Sequence, residues 1–276
     1  SAPRWRVISV DIDINDTAQA QWNEVIPQGK GVIDRVAITK AGIVVSHEID
    51  AHHELKVYDF EGNEKAVVEL PTLGSVFGLW GREDEENVYF AFTSFLKPMA
   101  IYRYNVAKSD LKLLFAPDVE FDPTPYVTRQ VFYESKDGTK VPMFITCRKD
   151  IELDGSAPTL LYGYGGFAIS LTPGYGVPCS VWLEHGGIYA VANLRGGNEY
   201  GRDWHDAGKL LNKQNVFDDF ISAAEYLVEK GYTSSDKLAI WGGSNGGLLT
   251  AACMLQRPSL FGAVISAVPV IDMLRY

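Results

Sequence analysis

The hydrophobic period of this chain changes once, and that change limits what each half can fold into. From residue 1 to 130, apolar and polar residues alternate in short runs: RVISVDID, DRVAIT, AGIVVSH, ELKVYDF, NVYFAF, AIYRYNV and LKLLF, bounded by Gly, Pro, Asn or Asp. Successive side chains of a strand point to opposite faces, so this alternation predicts half-buried antiparallel strands. VISVDI, LKVYDF and IYRYNV recur at a spacing of about 45 to 50 residues, the range of propeller blades. About three four-stranded blades would fit before residue 130. Three blades cannot close a ring, so residues 1–130 are expected to be an all-β partial β-propeller with open edges.

From residue 156 to 276 the pattern becomes strands alternating with helices. TLLYGYGG, GIYAVANLRGG and KLAIWGG read as buried strands ending in glycine loops. NVFDDFISAAEYLVEKGY and NGGLLTAACML read as helices. In the first of these, Phe217, Phe220, Ile221, Ala224, Leu227 and Val228 form an apolar stripe. Asp218 and Asp219 are expected in its first turn, facing the helix dipole, with Gly231 just past its end. Their adjacent positions point in different directions, which argues against a catalytic acid and base pair. The order of elements predicts an α/β sheet covered by helices. Residues 131–155 read as a hairpin turning at Asp137-Gly138 and then a polar linker.

Within the second half, WGGSNGG (residues 241–247) joins a predicted strand to a predicted helix. Gly242-x-Ser244-x-Gly246 fits a nucleophile elbow, where a sharp turn exposes a serine oxygen at the top of the sheet. The rival reading is a small residue in an ordinary glycine turn. At the helix start the Asn245 N–H is unpaired and available to an oxyanion. The loop after an early strand should supply a second donor; in YGYGGF (residues 162–167) that is Tyr164 or a glycine N–H, although such a loop would also suit a turn with packed aromatics.

A serine of this type needs a carboxylate and a histidine after it in the chain. Only Asp272 follows among the carboxylates, and no histidine does. His47, His52, His53, His185 and His205 all precede Ser244 and are read as exposed or hydrogen-bonded residues. HEIDAHHE does not form a zinc motif, because His47 and His52 are spaced i, i+5 rather than i, i+4. The glycine loops GYGG and LRGG do not complete GxGxxG, so no nucleotide site is expected.

With 25 Lys+Arg against 35 Asp+Glu, the net charge of −10 argues against nucleic acid and anionic membranes as partners. Cys147, Cys179 and Cys253 form no CxxC pair and read as buried reduced thiols, so a cytoplasmic location is expected. The longest apolar runs fall short of the roughly 20 residues of a membrane span. SAPRWRVISVDID lacks the order of a signal peptide.

LLYGYGGFAISLTPGYG, ANLRGGNEYGRDWHDAGKLLNKQNVFDDFISAAEYLVEKGYTSSDKLAIWGGSNGGLLTAAC and QRPSLFGAVISAVPVIDML closely resemble the prolyl oligopeptidase family of serine peptidases. RQVFYESKDGTKVPMFI resembles that family's crossing from propeller to hydrolase domain, and the β half resembles its last blades. The resemblance implies the nucleophile-containing part of an α/β hydrolase fold (156–276), truncated before the triad Asp and His, joined to a partial β-propeller. It implies Ser244 as nucleophile, the Tyr164 hydroxyl and Asn245 N–H as oxyanion donors, and Phe167 and Val270 as the lining of a proline pocket. It further implies cleavage of short peptides after proline, no metal or organic cofactor, and inactivity without the complementary remainder of the protein. Two alternatives stand beside this: a peptide ligase or macrocyclase of the same family, and, for a complete chain, a noncatalytic binding or assembly module.

Overall fold

Each alternating run of the first half forms a strand in the computed structural model, which describes residues 2–10 and 21–275. β1 (Val7–Ser9) pairs antiparallel with β2 (Asn23–Ile26). β3 (Val32–Thr39), β4 (Gly42–Ile49), β5 (His52–Tyr58) and β6 (Glu64–Val68) form a four-stranded antiparallel sheet in chain order. A second such sheet contains β7 (Ser75–Gly81), β8 (Asn87–Thr93), β9 (Ala100–Asn105) and β10 (Asp110–Phe115). Val44, Leu55 and Val57 of the first sheet pack with Val76, Val88, Phe90 and Phe92 of the second, as neighbouring blades should.

The expected three blades are two four-stranded sheets and one two-stranded piece among the described residues. LKVYDF and IYRYNV fall on β5 and β9, the third strand of each four-stranded sheet, whereas VISVDI begins on β1, which pairs only with β2 among the described residues. That run continues from Asp11 onward outside the described residues.

The second half is one six-stranded sheet. β11 (Tyr126–Glu134), β12 (Lys140–Arg148), β13 (Thr159–Tyr162), β14 (Ile188–Ala192), β15 (Leu238–Gly243) and β16 (Ala263–Ala267) are arranged in the order β11-β12-β14-β13-β15-β16. The first two contacts are antiparallel and the rest parallel. The hairpin turns at Asp137-Gly138 as expected, with Gly138 at φ 81°. It lies inside the sheet rather than between two units, because β12 also pairs with β14 from Met143 to Thr146 and is buried from Val141 to Cys147.

One face of this sheet is covered by α3 (Gln214–Glu229) and α4 (Asn245–Gln256), whose Val216, Phe220, Leu227, Leu249 and Cys253 pack against Met143, Leu161, Ala190 and Ile240. The other face meets α1 (Val177–Glu184) and the propeller half, where the Phe95 ring packs tilted against Phe144 and edge-on against Tyr189, and a short helix, α2 (Arg202–Asp206), follows β14. Polar bonds also join the halves: Tyr200 donates to Asp50 at 2.7 Å and Ser75 to the Pro173 carbonyl at 2.6 Å. All three cysteines are buried free thiols. Among the described residues no helix is long and apolar enough to cross a membrane.

The two adjacent aspartates of α3 depart from expectation. The helix begins at Gln214, so neither is in its first turn. Asp218 stays near the surface and accepts a bond from Gln214, one turn earlier. Asp219 is fully buried, and its carboxylate receives the Arg195 guanidinium at 2.5 Å, the Arg195 N–H at 3.1 Å and the Ser135 hydroxyl at 2.6 Å. Its role is to neutralise a buried arginine that also reaches Asp137 in the hairpin turn.

Candidate active site

β15 runs into α4 through a single residue, Ser244, at φ 57° and ψ −115°. A non-glycine residue rarely occupies positive φ, and the strain persists only where surrounding bonds enforce it. Here the Ser244 N–H donates to the Ala267 carbonyl at the end of β16, at 2.9 Å. Its own carbonyl accepts from Gly247 at 3.0 Å, Leu248 at 3.2 Å and Val270 at 3.3 Å. The flanking glycines allow the crossing: a Cβ on Gly242 would lie 2.2 Å from the Gly246 carbonyl oxygen, and one on Gly246 would lie 2.8 Å from that of Gly163. Gly243 has no such need, since its nearest neighbour would be 3.9 Å away. The outcome is an exposed Ser244 whose Oγ has no hydrogen-bond partner among the described residues, with half-buried Gly243 before it and buried Asn245 after it.

Asn245 is the first residue of α4, so its N–H lies among the helix donors that have no intrahelical acceptor. Its side chain turns inward, 5% exposed, and Nδ2 donates to the Tyr164 carbonyl at 2.5 Å. Gly166 fits directly against that amide: a Cβ there would come within 2.6 Å of Nδ2. The loop after β13 is thereby held on the elbow, with Tyr164 half-buried at its start. Phe167 and Ala168 lie at φ 55° and 53°, a second strained point, and the Ala168 N–H donates to the Gly196 carbonyl at 3.1 Å.

Of the five residues singled out from the sequence, four are directly linked. Ser244 and Asn245 are consecutive, Tyr164 is bonded to Asn245, and Val270 is bonded to Ser244. Phe167 joins them only through its loop, and the residue is 59% exposed. Lys213, on the approach to α3, escaped the sequence reading. Its ammonium donates to the Gly165 carbonyl at 2.7 Å and to Asn245 Oδ1 at 3.0 Å, and burial pushes its pKa down to about 8. A lysine within KLLNKQN gives no periodic signal of burial, so no pattern would have found it.

None of the five histidines is bonded to Ser244. His47 shares a hydrogen bond of 3.0 Å with the Tyr58 hydroxyl, and burial pushes its pKa down to about 4. His53 lies 3.6 Å from Asp34, His185 bonds the Val181 carbonyl at 2.9 Å, and His205 the Gly196 carbonyl at 2.8 Å. His52 contacts the Asp50 carbonyl. Asp272 is an exposed partner of Arg275. The arrangement presents an exposed hydroxyl, an unpaired helix N–H and a tyrosine-bearing loop, with no base bonded to the hydroxyl among the described residues.

Two family models match the chain. That described as "Prolyl oligopeptidase family" covers residues 177–276, and that described as "Prolyl oligopeptidase, N-terminal beta-propeller domain" covers residues 1–117. A prolyl endopeptidase of Elizabethkingia meningoseptica is 43% identical over 277 residues, which is 100% of this chain and 39% of the relative. A solved structure from a study of two prolyl endopeptidases superposes with a TM-score of 0.93 at 49% identity, covering 100% of this chain and 40% of that one. Prolyl oligopeptidase B from Galerina marginata, solved bound to a 35mer hydrolysis and macrocyclization substrate, gives a TM-score of 0.92 at 33% identity and covers 100% and 39%. The chain thus spans about two-fifths of the length of these relatives.

Proposed function

Because the chain belongs to the prolyl oligopeptidase family of serine peptidases, we propose that it carries the nucleophile half of an enzyme hydrolysing short peptides after proline. The observation that carries this reading is the strained, exposed Ser244 beside the Asn245 N–H and the bonded Tyr164 loop. In the complete enzyme, Ser244 Oγ attacks the carbonyl carbon of the proline residue and passes its proton to a histidine outside this chain. The carbonyl oxygen, now negative, accepts hydrogen bonds from the Asn245 N–H and the Tyr164 hydroxyl. Collapse of the tetrahedral adduct breaks the C–N bond, and the histidine returns the proton to the departing amine. Water then attacks the acyl group by the same route in reverse and frees Ser244. Phe167 and Val270 supply apolar surface for the proline ring.

By this reading the present chain alone is inert toward peptides. Its Ser244 has no bonded base, and loss of the base from such a site costs on the order of 10⁶ in rate. Replacing Ser244 with alanine in the full-length protein should abolish cleavage after proline, monitored by mass spectrometry of a proline-containing peptide. Retained cleavage would end the assignment.

A second reading keeps the acyl-enzyme but delivers it to an amine, so that peptides are joined or cyclised. It is favoured by the similarity to the Galerina marginata protein solved with a hydrolysis and macrocyclization substrate. Product mass separates the two, since hydrolysis adds one water and cyclisation adds none.

A further inference from the structure

Lys213 lies between a short 3-10 turn, Leu210–Asn212, and α3. The turn fixes its backbone: its N–H donates to the Leu210 carbonyl at 3.1 Å, and its carbonyl accepts from Val216 at 3.1 Å. From there the side chain reaches back to two oxygens that belong to different parts of the site. One is the Gly165 carbonyl, directly after Tyr164, at 2.7 Å; the other is Asn245 Oδ1, directly after Ser244, at 3.0 Å. Asn245 Nδ2 closes the circuit through the Tyr164 carbonyl at 2.5 Å.

Both acceptors of the ammonium are neutral amide oxygens. Among the described residues no carboxylate lies within 4.0 Å of it, unlike Arg195, which is buried against Asp219. A half-buried cation without a counter-ion loses hydration that its two amide-oxygen acceptors only partly replace, so packing alone does not account for a lysine here. The site beside it is where negative charge would develop on a substrate oxygen, and a fixed positive charge there favours the tetrahedral state over the ground state.

We infer that Lys213 is the positioning residue of the oxyanion site: its ammonium ties the Tyr164 loop to Asn245, aligns both donors, and adds a positive charge behind them. This rests on the oxyanion roles of Tyr164 and Asn245 proposed above. Lys213 does not touch the substrate; it acts through the two residues that would.

The test uses the full-length enzyme with Lys213→Met, Lys213→Gln and Lys213→Arg. Lys213→Met keeps length but removes charge and donors, and should lower kcat about 10- to 100-fold with KM within about 3-fold, less than direct loss of an oxyanion donor. Lys213→Arg should recover part of the lost kcat. Thermal unfolding of each variant shows what share of the protein is folded at assay temperature, and Lys213→Gln replaces Lys213→Met should the latter not fold. An unchanged kcat in a folded, uncharged variant overturns the inference. So does a loss that merely follows the folded fraction, with no recovery by arginine. Cleavage after proline by the unmodified enzyme, and its loss in Ser244→Ala, is the separate control: failure there rejects the proposed function and the Lys213 inference with it, whereas a Lys213 result against expectation with this control intact rejects the inference alone.

Discussion

Asn245 Nδ2 donates to the carbonyl oxygen of Tyr164 at 2.5 Å, so the two residues proposed to hold an oxyanion are bonded to each other. The side chain of Asn245 therefore positions the Tyr164 loop, while its backbone N–H, at the start of α4, has no intrahelical acceptor. One residue performs two separable tasks.

That separation predicts two grades of damage in the full-length enzyme. Tyr164→Phe removes a donor without disturbing the loop's carbonyl bond, and kcat should fall about 10²- to 10³-fold with an unchanged unfolding temperature. Asn245→Ala keeps the N–H but releases the loop and leaves the part-buried Tyr164 carbonyl without that donor, so it should lower both kcat and the unfolding temperature. Steady-state kinetics beside thermal melts would check both.

The elbow glycines should differ sharply from one another. Gly242→Ala would place its Cβ 2.2 Å from the Gly246 carbonyl oxygen, where only backbone movement could relieve the overlap. Gly243→Ala meets nothing closer than 3.9 Å. Urea unfolding should show Gly242→Ala destabilised by about 2 kcal/mol or more and Gly243→Ala within about 1 kcal/mol of the parent.

Asp219 and Asp137 both bind Arg195, but only Asp219 is fully buried; the Asp137 side chain is 48% exposed. Asp219→Ala would leave a buried guanidinium poorly neutralised and should cost about 3–5 kcal/mol. Asp137→Ala should cost about 1 kcal/mol or less, because water can replace its carboxylate. Equal losses in denaturant titrations would contradict this division.

Glu199, after β14, and Glu48, on β4, are almost completely buried, and each has a carboxyl oxygen without a partner among the described residues. Burial pushes both to about 7 from an ordinary value of 4.5, with their mutual charge adding to the shift of Glu48. Between these values each folded-state carboxyl holds a proton that the unfolded chain has lost, so the contribution of these two groups to stability is full below about pH 4.5 and is lost as pH rises through about 7. Glu199→Gln should flatten that decline and raise the unfolding temperature at pH 8 relative to the parent. A parent whose stability rises steadily from pH 5 to 8 would contradict it.

Much of this was legible in the sequence because it depends on local period and small residues. The alternation of LKVYDF and IYRYNV revealed strands, and the stripe of Phe220, Ala224 and Leu227 revealed α3. Less regular strands stayed hidden: β7 carries a bulge between Phe77 and Trp80, with Gly78 at φ 63°, which breaks its alternation. The elbow was readable because crossing backbones demand glycine at fixed spacing around Ser244. Lys213 and Asp219 were not, since a charged residue is buried only by partners distant in the chain, such as Gly165 and Arg195, and pairing of that kind leaves no periodic trace.

The central claim is that Ser244 becomes an activated nucleophile once the missing base is present. The most direct measurement is intact mass and peptide mapping of the full-length protein after a serine-directed fluorophosphonate, beside Ser244→Ala and the isolated 276-residue chain. The account predicts one adduct, on the Ser244 peptide of the full-length protein alone. An adduct on another serine, equal labelling of Ser244→Ala, or no adduct on a full-length protein that cleaves after proline would contradict it.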